Sequence, residues 1–321
     1  MTIGRRAAIG LGLGTSALLT GTAQAFPARQ VRILVPVSAG SVPDILARLL
    51  AERLAPAWGT AVVVENRPGA SGAIGVEAAM RAPADGHTLL LGSSGPMAIL
   101  PAVNRRLPYD PLRDFAPVAR VADFPLVFIA PPNSGLDKLD DLLARGRAPG
   151  EALDYAGGDI GSTQHLSGAL LAMLGGLKLR HIPYRSALAQ ADLIAGRLPL
   201  MVDSLSAVLR LIREGKAIPI ATCGARRAVQ LPDVPALAEA VPGYESTGWM
   251  GVFAPVATPP EAVRALCEGL LAVLRDPATA ARITAAGSDP APQDSAAFRG
   301  FVESELGKWA GLAAAAGISV E

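Results

Sequence analysis

Short apolar runs alternate with stretches patterned like amphipathic helices along most of the chain. Residues 31–37, 61–65 and 88–92 read as strands, and 43–54 and 73–81, which fall between them, read as helices. This alternation predicts β-α-β-α-β with a mostly parallel sheet. A proline-rich passage over 107–117 leads to a short apolar run, 125–132, with proline at both ends, which reads as a crossing between domains.

A second α/β series follows. Its predicted helices are 136–144, 163–174, 187–195 and 205–214, and its strands are 153–156, 179–182, 200–202 and 218–223. Residues 249–254, with Pro255, Pro259 and Pro260 behind them, read as the return crossing, and helices near 261–275, 277–286 and 295–315 close the chain. The expected organisation is a discontinuous domain I, 26–124 with 250–321, and a domain II, 125–249. No repeat of fixed period is present.

The junction 33–48, ILVPVSAGSVPDILAR, runs from strand through small residues into a helix carrying Asp44 and Arg48. A helix begins with unpartnered N–H groups and partial positive charge, so such a loop outlines an anion pocket, although many such junctions bind nothing. The loop 157–166, GGDIGSTQHL, offers a second set of N–H donors with hydroxyls at an N-cap, or is ordinary capping. Ser93 and Ser94 follow a strand, at the carboxyl edge where α/β sheets tend to bind ligands. Asp203 ends a strand and either meets a ligand amine or hydroxyl or caps the next helix.

The N-terminus sets the compartment. Arg5 and Arg6 precede an apolar run over 7–19 and the small-x-small sequence Ala23-Gln24-Ala25, so residues 1–25 read as a cleavable secretory signal, exported by the Sec or the twin-arginine route. No further segment reads as membrane-spanning, so the mature chain is expected in the periplasm without membrane insertion. The 321 residues carry 29 Lys and Arg against 28 Asp and Glu, and half are hydrophobic. Loss of two leader arginines brings the mature charge to about −1, which argues against nucleic-acid binding. The two cysteines, Cys223 and Cys267, lie far apart without metal-like spacing and are expected to be free thiols, although the compartment permits a bridge.

Catalytic patterns are missing. No G-x-S-x-G elbow or S-x-x-K occurs, and His87, His165 and His181 form no H-E-x-x-H or Cys/His set, so neither metal nor catalytic residues are expected. Residues 69–75, GASGAIG, match a dinucleotide loop only loosely, and no Walker motif occurs, so no cofactor is expected.

Several motifs together carry a family resemblance. PVSAGSVPDILAR at 36–48, VENRPGASGAIG at 64–75 and DGHTLL at 85–90 stand in order, followed by LPYD at 107–110 with Asp114-Phe115. Gly161-Ser162 with His165-Leu166, IPYR at 182–185, LPDVP at 231–235, PGYE at 242–245 and Trp249 with Ala254-Pro255 continue it over essentially the whole mature chain. In this order they resemble the substrate-binding proteins of tripartite tricarboxylate transporters, the Bug or TctC-like family. The resemblance implies a two-domain periplasmic-binding-protein fold of type II, with two hinge crossings and a ligand cleft between domains. It also implies a ligand carboxylate received by the loop holding Ser38, Ala39, Gly40, Ser41 and Asp44. Ser93 and Ser94 would line the same domain, and Gly161, Ser162, Thr163, His165, Tyr184 and Asp203 would face the ligand from the other.

Two positions depart from the family pattern. Ser41 stands where paired glycines are usual, and Ser186 stands where glycine commonly follows Tyr184-Arg185. Arg185 either pairs with a second ligand carboxylate or is solvated. The expected function is a non-enzymatic, monomeric periplasmic receptor. It would capture a small carboxylate (a di- or tricarboxylate, an acidic amino acid or a related organic acid) by domain closure and deliver it to membrane transporter subunits. The alternatives are a sensory receptor acting on a membrane kinase, and a periplasmic hydrolase or lyase.

Overall fold

The structure is a computed structural model that describes residues 26–184 and 186–319. Residues 1–25, expected above to be a leader, and residues 185, 320 and 321 lie outside that description, as do the side chains of Ser186 and Ala187.

The first half supplies strands β1 (Val31–Val35), β2 (Val62–Asn66), β3 (Thr88–Ser93), β4 (Phe115–Phe124) and β5 (Leu126–Ala130). Strands β6 (Leu153–Ala156), β7 (Leu179–Ile182), β8 (Met201–Ser204), β9 (Ile218–Thr222), β10 (Gly248–Pro255) and β11 (Asp289–Gln293) follow. Helices are α1 (Val42–Trp58), α2 (Ala73–Met80), α3 (Leu100–Val103), α4 (Leu139–Arg147) and α5 (Thr163–Gly175), then α6 (Ser186–Ile194), α7 (Leu205–Arg213), α8 (Pro260–Arg275), α9 (Pro277–Ala285) and α10 (Ser295–Ala316).

Two sheets result. One has the order β11-β4-β10-β3-β1-β2, the other β7-β6-β8-β5-β9. The expected parallel unit is present, with β1 paired in parallel to both β2 and β3. Beyond it the first sheet is antiparallel, because β10 pairs with β3 and β4, and β11 with β4. The second sheet is also mixed, with β6 parallel to β7 and β8 while β5 runs antiparallel to β8 and β9.

The departures from the sequence reading involve proline and glycine. Phe115–Phe124 is a ten-residue strand despite Pro117, and the crossing is confined to Pro125 between β4 and β5. Asp289–Gln293, with prolines at 290 and 292, is an edge strand, the place where a missing donor is tolerated. The segment read as the return crossing is β10, fully buried between β3 and β4. Helix α4 begins three residues later than its apolar pattern suggests. Asp141 fixes that start by accepting the N–H groups of Asp137 and Lys138.

Helix packing follows from spacing. Leu46, Leu50 and Leu54 recur every four residues on α1 and are buried with Leu266, Leu270 and Leu274 of α8 against one face of the first sheet. The other face forms a cluster that includes Leu34, Trp249, Phe298 and Trp309 and continues without interruption into Leu126, Phe128, Tyr155 and Leu171 of the second lobe. At the Trp249 end, Glu305 Oε2 accepts both the Trp249 and Trp309 indole N–H groups, each at 3.0 Å, and Lys308 pairs with the same carboxylate. Helix α10 is thereby fixed to β10, and the buried charge has partners. Cys223 and Cys267 are both buried free thiols; burial pushes the Cys223 thiol up to about 12.

Candidate functional site

Strand-to-helix junctions from both sheets meet at one cavity. At the first, β1 runs through a small-residue loop into α1. The Ser41 hydroxyl donates to the Ser38 carbonyl at 2.8 Å and caps no helical N–H. The leading N–H groups of α1 thus receive no side-chain cap from Ser41. Asp44 sits behind this loop, 3% exposed, accepting the Gly40 N–H at 2.8 Å and pairing with Arg48 at 3.0 Å. Burial pushes its pKa up, but Arg48, the Gly40 N–H and Asn66 outweigh that and hold it below the usual value. Asn66, at the end of β2, donates to the Val37 carbonyl and accepts from Arg48, tying the loop to the neighbouring strand.

The second junction is the end of β3. Ser93 lines the cavity, whereas Ser94 is fully buried beneath it and its hydroxyl lies 3.3 Å from that of Thr163 in the other lobe. The third is the loop into α5. There Ser162 is the N-cap, accepting the His165 N–H at 3.1 Å and donating to the Gly157 carbonyl at 3.0 Å. The fourth joins β8 to α7, where the N-cap Ser204 makes no side-chain cap bond.

The cavity measures about 360 Å³. From the first lobe, Ser41, Ser71, Ser93 and Gly95 line it, with Val37, Val42, Pro43, Leu100 and Phe124 as an apolar wall. From the second come Asp159, Gly161, Ser162, Thr163 and Gln164, with Ser204 and Ser206 at the start of α7. Among the described residues its lining includes no lysine or arginine. A larger cavity of about 550 Å³ is lined by first-lobe residues alone, including Val263, Cys267 and Leu271, and none of these junctions reaches it.

The structure therefore brings Ser41, Ser93, Gly161, Ser162 and Thr163 to one cavity. Ser38, Ala39 and Gly40 are exposed and outside its lining. Asp44 is turned to Gly40 and Arg48, and Ser94 to Thr163. His165 lies behind the loop: its Nδ1 accepts the Gly161 N–H at 3.1 Å and its ring stacks on His181 at 4.0 Å. Burial, with His181 beside it, pushes the His165 pKa down to about 4. Tyr184 donates its hydroxyl to Asp192 at 2.6 Å. Asp203 is buried, accepting the Ser204 N–H at 2.8 Å and the Gln164 amide at 3.4 Å, one residue from the cavity wall.

Sequence reasoning missed Gln164, Ser204, Ser206, Ser71 and Phe124. Ser204 and Ser206 carried the signal already used elsewhere, hydroxyls where a strand turns into a helix. Ser71 has φ 53° in a short helical turn, and nothing in its sequence context marked that backbone.

Two α/β lobes, linked by β4–β5 and by the segment entering β10, with a cavity between them, have the architecture of periplasmic binding proteins. Residues 46–318 match the family described as tripartite tricarboxylate transporter family receptor, and the chain belongs to that family. Protein BugT of Bordetella pertussis is 35% identical over 311 residues, covering 95% of each chain. Rpa4515 of R. palustris, solved with adipate, is 35% identical with a TM-score of 0.81, covering 92% of this chain and 99% of that one. MatC from Rhodopseudomonas palustris, solved with bound malate, is 28% identical with a TM-score of 0.75, covering 89% and 99%. No helix among the described residues is long and apolar enough to cross a membrane.

Proposed function

We propose that this protein is a periplasmic receptor that captures a small carboxylate between its lobes, closes on it, and delivers it to the membrane subunits of a tripartite tricarboxylate-type transporter. The observation that carries this reading is the meeting of the N-termini of α1, α5 and α7, drawn from both lobes, on one cavity lined with hydroxyls. Each N-terminus presents partial positive charge and N–H donors, so together they attract an anion with no lysine or arginine among the described lining residues. The adipate and malate held by Rpa4515 and MatC support the same ligand class.

In this reading Ser41, Ser93, Gly161, Ser162 and Thr163 contact the ligand, and Gln164, Ser204 and Ser206 join them. Ser38, Ala39, Gly40, Asp44, Ser94, Tyr184 and Asp203 shape and hold the loops. Residues 1–25 serve as a removable leader, and the lobes divide as 26–124 with 250–321, and 125–249. The ligand leaves chemically unchanged, and the mature receptor acts as a monomer. Closure follows because only a ligand touching both lobes favours the closed state.

Native mass spectrometry of the purified protein, with calorimetric titration of adipate, malate, citrate and aspartate, tests this. A carried or added carboxylate that binds one to one, is recovered intact and compacts the small-angle scattering profile is expected. Failure of every carboxylate to bind ligand-free protein would overturn the reading.

A further inference from the structure

The loop 157–161 leading into α5 is held from the side away from the cavity. Ser162 Oγ bonds the Gly157 carbonyl from within the loop, and the Tyr184 N–H donates to the Gly158 carbonyl at 3.2 Å. The Ser162 N–H donates to the Asp159 carbonyl at 3.0 Å, and two histidines supply further ties. His165 Nδ1 accepts the Gly161 N–H at 3.1 Å, and His181 Nε2 lies 2.8 Å from the Gly157 carbonyl. Gly161 has φ +81°, a conformation a side chain would strain, so the turn aims this peptide only while something holds it.

These contacts fix the protonation of both rings. Nδ1 of His165 receives a proton donor, so the neutral ring carries its hydrogen on Nε2. His181 faces a carbonyl through Nε2, so its hydrogen is there. The rings stack at 4.0 Å and 27°, an arrangement that two imidazolium charges would oppose. Tyr155 donates its hydroxyl to the His165 carbonyl at 2.7 Å, and its ring lies 5.3 Å from that of His181. The groups facing the pair are therefore Tyr155 from β6, Asp159 from the loop, Met173 on α5, and apolar Ala315, Ala316 and Ile318 at the end of α10.

We infer that His165, backed by His181, is a positioning residue of the ligand site: as a neutral acceptor it holds the Gly161 peptide, and so aims the N-terminal donors of α5 at the cavity. This rests on the carboxylate reading above. It replaces the expectation that His165 faces the ligand. Protonation of Nδ1 would set two donors against each other and release the loop. Burial and His181 place that event near pH 4, so the bond is intact above it and lost as pH falls through it.

The test uses the mature chain with His165→Leu, which removes the acceptor, and His165→Asn, whose Oδ1 takes the place of Nδ1. His165→Leu should speed amide exchange at Gly161 and Ser162 and weaken adipate or malate binding about tenfold, the effect of one lost bond. His165→Asn should restore both. The ratio of wild-type to His165→Asn affinity should stay constant from pH 7 to 6 and fall towards pH 4; ligand protonation cancels in this ratio. Exchange at Gly161 unchanged in His165→Leu, no rescue by folded His165→Asn, or a flat ratio to pH 4 would each overturn the inference. If His165→Leu fails to fold, the pH ratio still decides. If neither dicarboxylate binds the wild type, the choice of probe ligand fails separately, and Gly161 exchange still decides.

Discussion

The Ser94 hydroxyl lies 3.3 Å from the Thr163 hydroxyl, both side chains buried at the base of the cavity, one from each lobe. A buried hydroxyl pair contributes about 1 kcal/mol net, and stranding one partner costs about 1–3 kcal/mol. A double-mutant cycle with Ser94→Ala and Thr163→Val, followed by urea unfolding, should therefore show a coupling of about 1 kcal/mol. Strictly additive losses would mean that the two hydroxyls bond elsewhere.

Ser41 caps α1 only through its backbone, because its hydroxyl is turned to the Ser38 carbonyl. Replacing an N-cap serine by glycine costs only a few tenths of a kcal/mol. Ser41→Gly should thus leave the melting temperature nearly unchanged while altering the ranking of carboxylates in a calorimetric panel, since the side chain lines the cavity. An unchanged ranking would show that this departure from the family pattern is incidental to ligand choice.

Gly248 opposes Phe124 across β10 and β4, where the two connections between lobes run side by side. A Cβ at Gly248 would fall 1.8 Å from the Phe124 ring, and that ring lines the cavity. Gly248→Ala should cost about 1–3 kcal/mol by overpacking and weaken ligand binding. Adding Phe124→Leu should recover part of the stability. Equal stability of wild type and Gly248→Ala in urea would contradict this account.

Asp123 is paired with Arg120 beside Asp289, its partner across β4 and β11. Burial raises its pKa to about 6, with Asp289 and Glu245 adding to the rise and Arg120 opposing it. A carboxyl whose folded pKa exceeds its unfolded value of about 3.9 stabilises below that value, and the contribution is lost as pH rises through 6. The melting temperature of wild type relative to Asp123→Asn should therefore fall between pH 4 and 6. A constant difference across that window would show that Asp123 titrates normally.

The alternation of apolar runs was enough to recover β1, β2, β3, α1, α5 and most of the second lobe, because each packs apolar side chains of its own run into a cluster. It failed where neighbours, not local pattern, decide. The prolines of β11 are tolerable only at an edge, and β10 became a central strand by pairing with β3 and β4. The cavity followed the same division. Hydroxyls at helix starts were readable at Ser41, Ser162 and Thr163, whereas the resemblance implied that His165 faces the ligand. Its bond to Gly161 and stack on His181 depend on residues folded against it, which its own sequence context does not mark. Phe124 enters the cavity through long-range pairing, which no window of sequence contains.

The apolar cluster that runs unbroken from Trp249 and Phe298 to Leu126 and Leu171 gives the halves a shared interior beside the separate cluster that each keeps for itself. Neither half can melt and leave the other its full complement of buried partners, so heating should give one cooperative transition for the whole chain. The shared spine also limits how far the mouth can swing. Motion must pivot around this packed cluster, and opening wide enough to part it would begin to unfold the protein.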